Sequence, residues 1–200
     1  MNQLNDSTPR RNFLTNSVKG TLALGVGMST LASLLQSFTF KEEENGLFVQ
    51  GAGSITTEAQ FRAAIAPLAQ MSMTSSQLAT TQATNKYAKQ FAGFELAETT
   101  AMMGILKDIG TTPPAPDAKA QAMMDQLKAA KGAAFDKAYI TAQVQTHQQL
   151  NALTTGYLAS AAPSATNMME KHGRHIAMLA STSIKEHLAI TQQLSSMLGS

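Results

Sequence analysis

Apolar positions recur at alternating steps of three and four through one long stretch of the chain: Phe135, Tyr139, Ala142, Thr146, Leu150, Leu153 and Tyr157. That spacing keeps them on one face of a helix with 3.6 residues per turn. Asp136, Gln143 and His147 fall on the edge of the same face. The same periodicity predicts three further long helices. The first runs from about Thr57 to Thr81, with Phe61, Ile65, Leu68, Ser72, Ser75 and Ala79 inward and with Pro67 set to kink it or mark a later start. The second follows Asn85 as N-cap and ends near Ile109, before Gly110. Its stripe of Tyr87, Phe91, Phe94, Glu98, Ala101, Ile105 and Ile109 sets Glu98 at the centre of the apolar face. The fourth opens at Ser164 and ends near Leu198, with Met168, His172, Ile176, Leu179, Ser183, Ile190 and Leu194 inward and His187 at the edge. Gly173 weakens its first third.

Between the second and third long helices lies the stiff run Thr111-Thr112-Pro113-Pro114-Ala115-Pro116, which cannot continue a helix. Asp117 then caps a short helix to about Leu127, and Lys131-Gly132 separates it from the long third helix, which Pro163 ends. Four long amphipathic helices and one short one make an all-α fold, a four-helix bundle with up-down-up-down topology. The bundle occupies residues 57–198, behind a linker at 41–56 and an N-terminal segment at 1–40.

Composition agrees with a helical reading. The 200 residues include no Trp and no Cys, and only 6% are aromatic. A β-sandwich would require more β-branched and aromatic residues at period two. Without Cys there are no disulfides, thiolate metal sites or Cys nucleophiles. The net charge of +2 comes from the N-terminus: from Lys41 onward, twelve Lys and Arg face twelve Asp and Glu. No basic stripe is left for nucleic acid.

Residues 1–40 read as an export signal. Arg10-Arg11 is followed at once by Phe13 and Leu14 and then by a weakly apolar run from Thr21 to Leu35. That run is too short for a comfortable membrane span. The arginine pair with Arg10, Arg11, Phe13 and Leu14 resembles a bacterial twin-arginine signal. The protein is therefore expected in the periplasm or associated with the outer membrane. Thr30-Leu31-Ala32 is a poor small-x-small cleavage pattern, so an uncleaved segment serving as a membrane tether is the alternative.

The third-helix run Phe135-Asp136-Lys137-Ala138-Tyr139, with Ala142-Gln143-Val144 and His147-Gln148, resembles a bacterial family of ferritin-like bundles of unknown function, often labelled outer membrane proteins. Ser75-Ser76-Gln77-Leu78-Ala79, Ala83-Thr84-Asn85 through Phe91-Ala92, and His187-Leu188 agree in order and spacing. The resemblance implies an exported ferritin-like bundle and no established activity. It also shows departures. Ser72 stands where that family commonly has a Glu, and Glu98-Thr99 where it has an acid-His pair. A di-iron bundle site takes Glu-x-x-His from each of two helices. The chain contains no such motif.

The remaining candidate chemistry is narrow. A carboxylate at the centre of an apolar face must be paired, ligated or protonated, which points to Glu98. Asp136 and His147 are eleven residues apart, about 16 Å along a helix, and cannot share an ion. Glu98, His147 and His187 form the convergent set, either as a metal site or as a hydrogen-bond network that fixes helix register. His172 and His175 have i, i+3 spacing but only Glu170 nearby, which fits adventitious metal binding. The methionine pairs place neighbours on different faces, as core filler does. No catalytic residue and no cofactor site is expected, and a divalent metal is the alternative. The leading expectation is a non-enzymatic envelope protein that contacts itself, an envelope partner or the membrane. A metal-binding or storage bundle is second. Third is a small-ligand binder with its pocket where Ser72 and Ser75 thin the core.

Overall fold

The computed structural model describes residues 55–161 and 166–199. The expected export signal at 1–40, all but the end of the expected linker at 41–56, and the expected helix start at Ser164 lie outside the described residues. Among the described residues five helices follow one another: α1 (Glu58–Gln82), α2 (Lys86–Asp108), α3 (Ala118–Ala129), α4 (Gly132–Ala159) and α5 (Met168–Gly199). The fold is an all-α bundle of four long helices with a short helix between the second and third, as the periodicity predicts.

Local chemistry sets the boundaries. Thr57 and Gln60 form a capping box at the start of α1. Asn85 accepts from the backbone N–H groups of Tyr87 and Ala88 to start α2, and Asp117 accepts from that of Ala120 to start α3. Gly110 follows α2 with φ +78°, a left-handed conformation that glycine adopts without a Cβ clash. Pro67 neither ends α1 nor delays its start. The helix runs through it.

The expected direction of the helices requires correction. On α1 and α4, Phe61 stacks on Tyr157, Ser72 meets Gln143, and Ser76 meets Tyr139, so these helices run antiparallel. Asp136 near the start of α4 accepts from the backbone of Thr84 and Asn85 at the start of α2, so α2 and α4 begin at the same end. The order is therefore up-down-down-up rather than up-down-up-down. The segment 109–131 is the reason. It starts beside Arg62, which donates to the Ile109 carbonyl, and finishes beside Gln82, which donates to the Ala130 carbonyl. It thus carries the chain, with α3, along the full length of the bundle before α4 begins.

The α1 and α4 stripes are buried as expected, from Phe61 to Ala79 and from Phe135 to Tyr157. Those of α2 and α5 are rotated over most of their length, with Phe91, Ile190 and Leu194 buried as expected. On α2 the buried positions are Ala88, Phe91, Ala92, Glu95, Thr99 and Leu106, while Tyr87, Phe94 and Glu98 are half-buried and Ala101 and Ile105 exposed. On α5 the small residues Gly173, Ala177 and Ser181 are buried, and Met168 and Leu179 are exposed. A Cβ at Gly173 would lie 2.9 Å from Glu58 Cβ and closer still to Cγ. The glycine lets α5 approach α1, and the larger side chains on its flank turn towards α2. The core then has three parts along its length. Phe61, Ile65, Leu68, Leu153 and Tyr157 fill one end. A buried polar layer follows, and Phe91, Phe135 and Tyr139 close the other side.

Candidate metal centre

The polar layer is built from α1, α2, α4 and α5. Ser72, Glu95, Gln143, His147 and His187 are all buried, Glu95 and His147 to within 2% of full burial. Ionised or polar groups at that depth must be satisfied by one another. Glu95 Oε2 lies 2.5 Å from His187 Nδ1 and 3.3 Å from His147 Nε2. Its other oxygen accepts from the Ser72 hydroxyl. The ligand atoms of Glu95, His147 and His187 all lie within 4.8 Å of one another, the one such group among the described residues. Phe91 presents edge-on contacts to both imidazoles, with ring centroids at 6.2 and 5.3 Å, and walls the group off.

The carboxylate expected at the centre of this set, Glu98, sits one turn further on. It is 28% exposed, with its oxygen 3.5 Å from His187 Nε2. Glu95 takes the central place because the inward face of α2 is shifted by one position, from Tyr87, Phe94, Glu98 and Ile105 to Ala88, Glu95, Thr99 and Leu106. His147 and His187 are both brought to the site. His187 is buried rather than at an edge. Asp136 is fixed elsewhere, on the N-terminus of α2, and His172 and His175 are exposed on α5, away from the site. Glu95 and Gln143 join the site although neither is among the residues expected in it, and Ser72, expected to thin the core, bonds Glu95 instead. The one signal for Ser72 was the resemblance, which implies a Glu at that position.

Each candidate ligand has a partner on its outer side. His147 Nδ1 lies 2.8 Å from the Gln143 carbonyl and must donate to it, which directs Nε2 at Glu95. His187 places Nε2 against Glu98 and Nδ1 against Glu95. Ser72 Oγ has one proton and lies within reach of both Glu95 and Gln143 Oε1, the latter at 2.9 Å. Gln143 Nε2 donates to Ser75 Oγ at 3.0 Å and to Ser76 Oγ at 3.2 Å, and Ser76 shares a hydrogen bond of 2.8 Å with the Tyr139 hydroxyl. On the other side Ser72 donates to the ionised carboxylate of Glu95. Burial opposes that charge on Glu95, but His147 and His187 outweigh it and hold the carboxyl well below its usual range. Burial likewise lowers the pKa of His187, and its contacts with Glu95 and Glu98 more than reverse this, pushing it up to about 9.

A cavity of about 330 Å³ opens from this layer between α2 and α5. Glu95, Glu98, His147 and His187 lie at one end and Phe61, Ile65, Leu150 and Ile184 along its walls. Ser72 and Ser75 do not line it. Both are buried and hydrogen-bonded, Ser75 to the Met71 carbonyl at 2.9 Å, so the expected thin core at those serines is absent. The core is thin instead where α2 and α5 stand apart.

A family model described as Domain of unknown function (DUF4142) matches residues 49–194. The chain belongs to this family. The match spans all of α1 to α4 and every residue of the Glu95, His147, His187 group. No curated protein and no solved structure matches the chain.

Proposed function

We propose that this member of the family is an exported envelope protein that holds one divalent transition-metal ion between Glu95, His147 and His187. The metal-binding reading overtakes a purely structural bundle because of one feature: all three ligands are oriented from behind. The Gln143 carbonyl, Glu98 and Ser72 hold the outer atoms of His147, His187 and Glu95. Outer partners of this kind set the tautomer and direction of metal ligands. The spacing of His147 Nε2 and Glu95 Oε2, 3.3 Å, matches two ligands of a tetrahedral ion bound at about 2.0 Å each. His187 Nδ1 lies closer, at 2.5 Å, with a proton where the ion would sit. Binding would widen that contact by about 0.8 Å and release the proton. Two imidazoles and one carboxylate suit zinc, iron(II) or cobalt(II), and they leave a coordination position facing the cavity. The single long crossover between α2 and α4 supports the ferritin-like kinship, since ferritin-like folds carry one such connection. The site differs from their paired-metal cages, because Ser72 and Thr99 supply no ligand where a second ion would need them.

Export rests on Arg10, Arg11, Phe13 and Leu14 ahead of the apolar run. No described helix is long and apolar enough to cross a membrane. Residues 55–199 then work outside the cytoplasm, with contact to itself or to an envelope partner left to the bundle surface.

Elemental analysis of the protein purified from the periplasm tests the assignment. One ion per chain is expected. Glu95→Gln and His147→Ala should lose it, and the double variant His172→Ala, His175→Ala should keep it. Loss only in the double variant would assign the metal to the surface pair and sink the proposal. Replacing Arg10 and Arg11 by Lys should leave the precursor in the cytoplasm. Unimpaired secretion would refute the twin-arginine route.

A further inference from the structure

The cavity between α2 and α5 carries its ionisable groups, Glu95, Glu98, His147 and His187, at one end. Its far wall is aliphatic and aromatic, and at its mouth Ile105 and Leu179 are 42% and 75% exposed. Small-molecule sites share this pattern of mostly apolar lining with a few polar groups, in volumes from about 300 Å³ upwards. Among the described residues five buried side-chain polar atoms have no hydrogen-bond partner, and one of them lines this cavity. Thr154 is fully buried, lines the same cavity, and its Oγ1 makes no hydrogen bond. A buried hydroxyl left alone is costly, and a serine or threonine on a helix usually bonds a carbonyl of its own preceding turn. Thr99 and Thr191 on neighbouring helices do so. Thr154 stands seven residues beyond His147, so about 10 Å further along α4.

We infer that the cavity binds a medium-chain aliphatic carboxylate, its head group on the metal held by Glu95, His147 and His187 and a hydroxyl towards its other end on Thr154. The inference rests on the metal-binding reading. Size sets the length: about 330 Å³ holds roughly eleven non-hydrogen atoms at about 30 Å³ each, near that of a ten-carbon acid. Charge sets the head group. Without an ion the deep end presents the carboxylates of Glu95 and Glu98 against the single imidazolium of His187, a net negative charge that disfavours an anion. With it, the open coordination position faces the cavity and takes a carboxylate oxygen as a further ligand. The apolar walls exclude a second charge.

Cobalt(II) reports on both steps. The metal-free protein is first titrated with cobalt, and the loaded protein is then titrated with decanoate, ω-hydroxydecanoate and decanol, followed by visible absorption and calorimetry. One cobalt should bind, decanoate should change its spectrum, and decanol should not. The metal-free protein should bind decanoate at least tenfold more weakly. The ω-hydroxy acid should bind about fivefold more tightly than decanoate, the worth of one hydrogen bond, and Thr154→Val should erase that difference alone. Ala180→Phe, which fills the cavity, should abolish acid binding and keep the cobalt; Ile105→Glu at the exposed mouth should also weaken the acid if the first variant does not fold. Failure to bind cobalt would overturn the metal reading and this one together. Cobalt bound one to one with a spectrum indifferent to decanoate would overturn the ligand alone, as would decanoate binding unchanged by Ala180→Phe.

Discussion

Raising the pH of the metal-free protein should remove a definable part of its stability. The perturbation acts on His187. Its imidazolium is held between Glu95 Oε2 at 2.5 Å and Glu98 Oε2 at 3.5 Å, and its pKa rises from 6.5 to about 9 in the fold. A group with a raised folded-state pKa contributes stability that is fully present below its unfolded value. That stability is lost as pH climbs through the folded value. The loss therefore begins at 6.5 and is complete a little above 9. At about 1.4 kcal/mol per pH unit it totals about 3 kcal/mol. Glu95 is the other end of the same ion pair, so its depressed pKa is the same interaction and is counted once. Its sign is opposite: that contribution is present above 4.5 and disappears only in strong acid. Maximum stability falls between these limits. Thermal unfolding followed by circular dichroism, with chelator present, reads the effect directly. Between pH 6.5 and 9 the midpoint temperature should drop by roughly 6 to 12 °C, using about 2 to 4 °C per kcal/mol for a domain of this size. Glu95→Gln should start lower and lose less over the same range. Equal stability of the wild type at pH 6.5 and 9, or an undiminished slope in Glu95→Gln, would refute the reasoning.

Three further outcomes follow from single contacts. Glu98→Gln removes the outer partner of His187 and not a ligand, so cobalt should still bind one to one, about 10- to 100-fold more weakly in a competition titration. Asp136→Ala frees the backbone N–H groups of Thr84 and Asn85, bonded to it at 2.9 and 2.8 Å; chemical denaturation should show a loss of about 3 kcal/mol with metal stoichiometry intact. Gly173→Ala would ordinarily strengthen an exposed helix. Here its Cβ meets Glu58, which Arg62 and the close packing of α5 hold in place, so a net loss of about 1 to 3 kcal/mol is expected in the same assay.

Glu170 shows how an expected feature acquires a different role. On the sequence it is a lone acid beside a histidine pair. In the fold both its oxygens accept from the backbone N–H of Glu58, at 2.9 and 2.8 Å, so α5 caps the start of α1. Arg174 does the converse at the other polarity. It donates to the carbonyls of Tyr157, Leu158 and Ser160 at the end of α4. With Gly173 between them, these residues lock the end of the bundle where the cavity's apolar walls lie.

The sequence by itself determined the helices and their order. Capping residues, prolines and the three-four spacing are local signals, and Thr57, Asn85, Asp117 and Gly110 act within a few residues of themselves. The inward faces of α1 and α4 were equally legible, because each is packed by neighbours along its whole length and its stripe is correspondingly broad. The faces of α2 and α5 were not. These helices stand apart across a cavity, so large apolar residues such as Ile105 and Leu179 line a mouth instead of filling a core, and hydrophobicity then misreports which way the helix points. That error moved the central carboxylate from Glu95 to Glu98. The crossover direction was hidden for a similar reason, since a 23-residue connection between Asp108 and Gly132 permits either end of the bundle as its destination. His147 and His187 were already paired on the sequence, but only the tertiary structure set Glu95 and Ser72 between them, because that meeting depends on rotations of whole helices that no local spacing encodes.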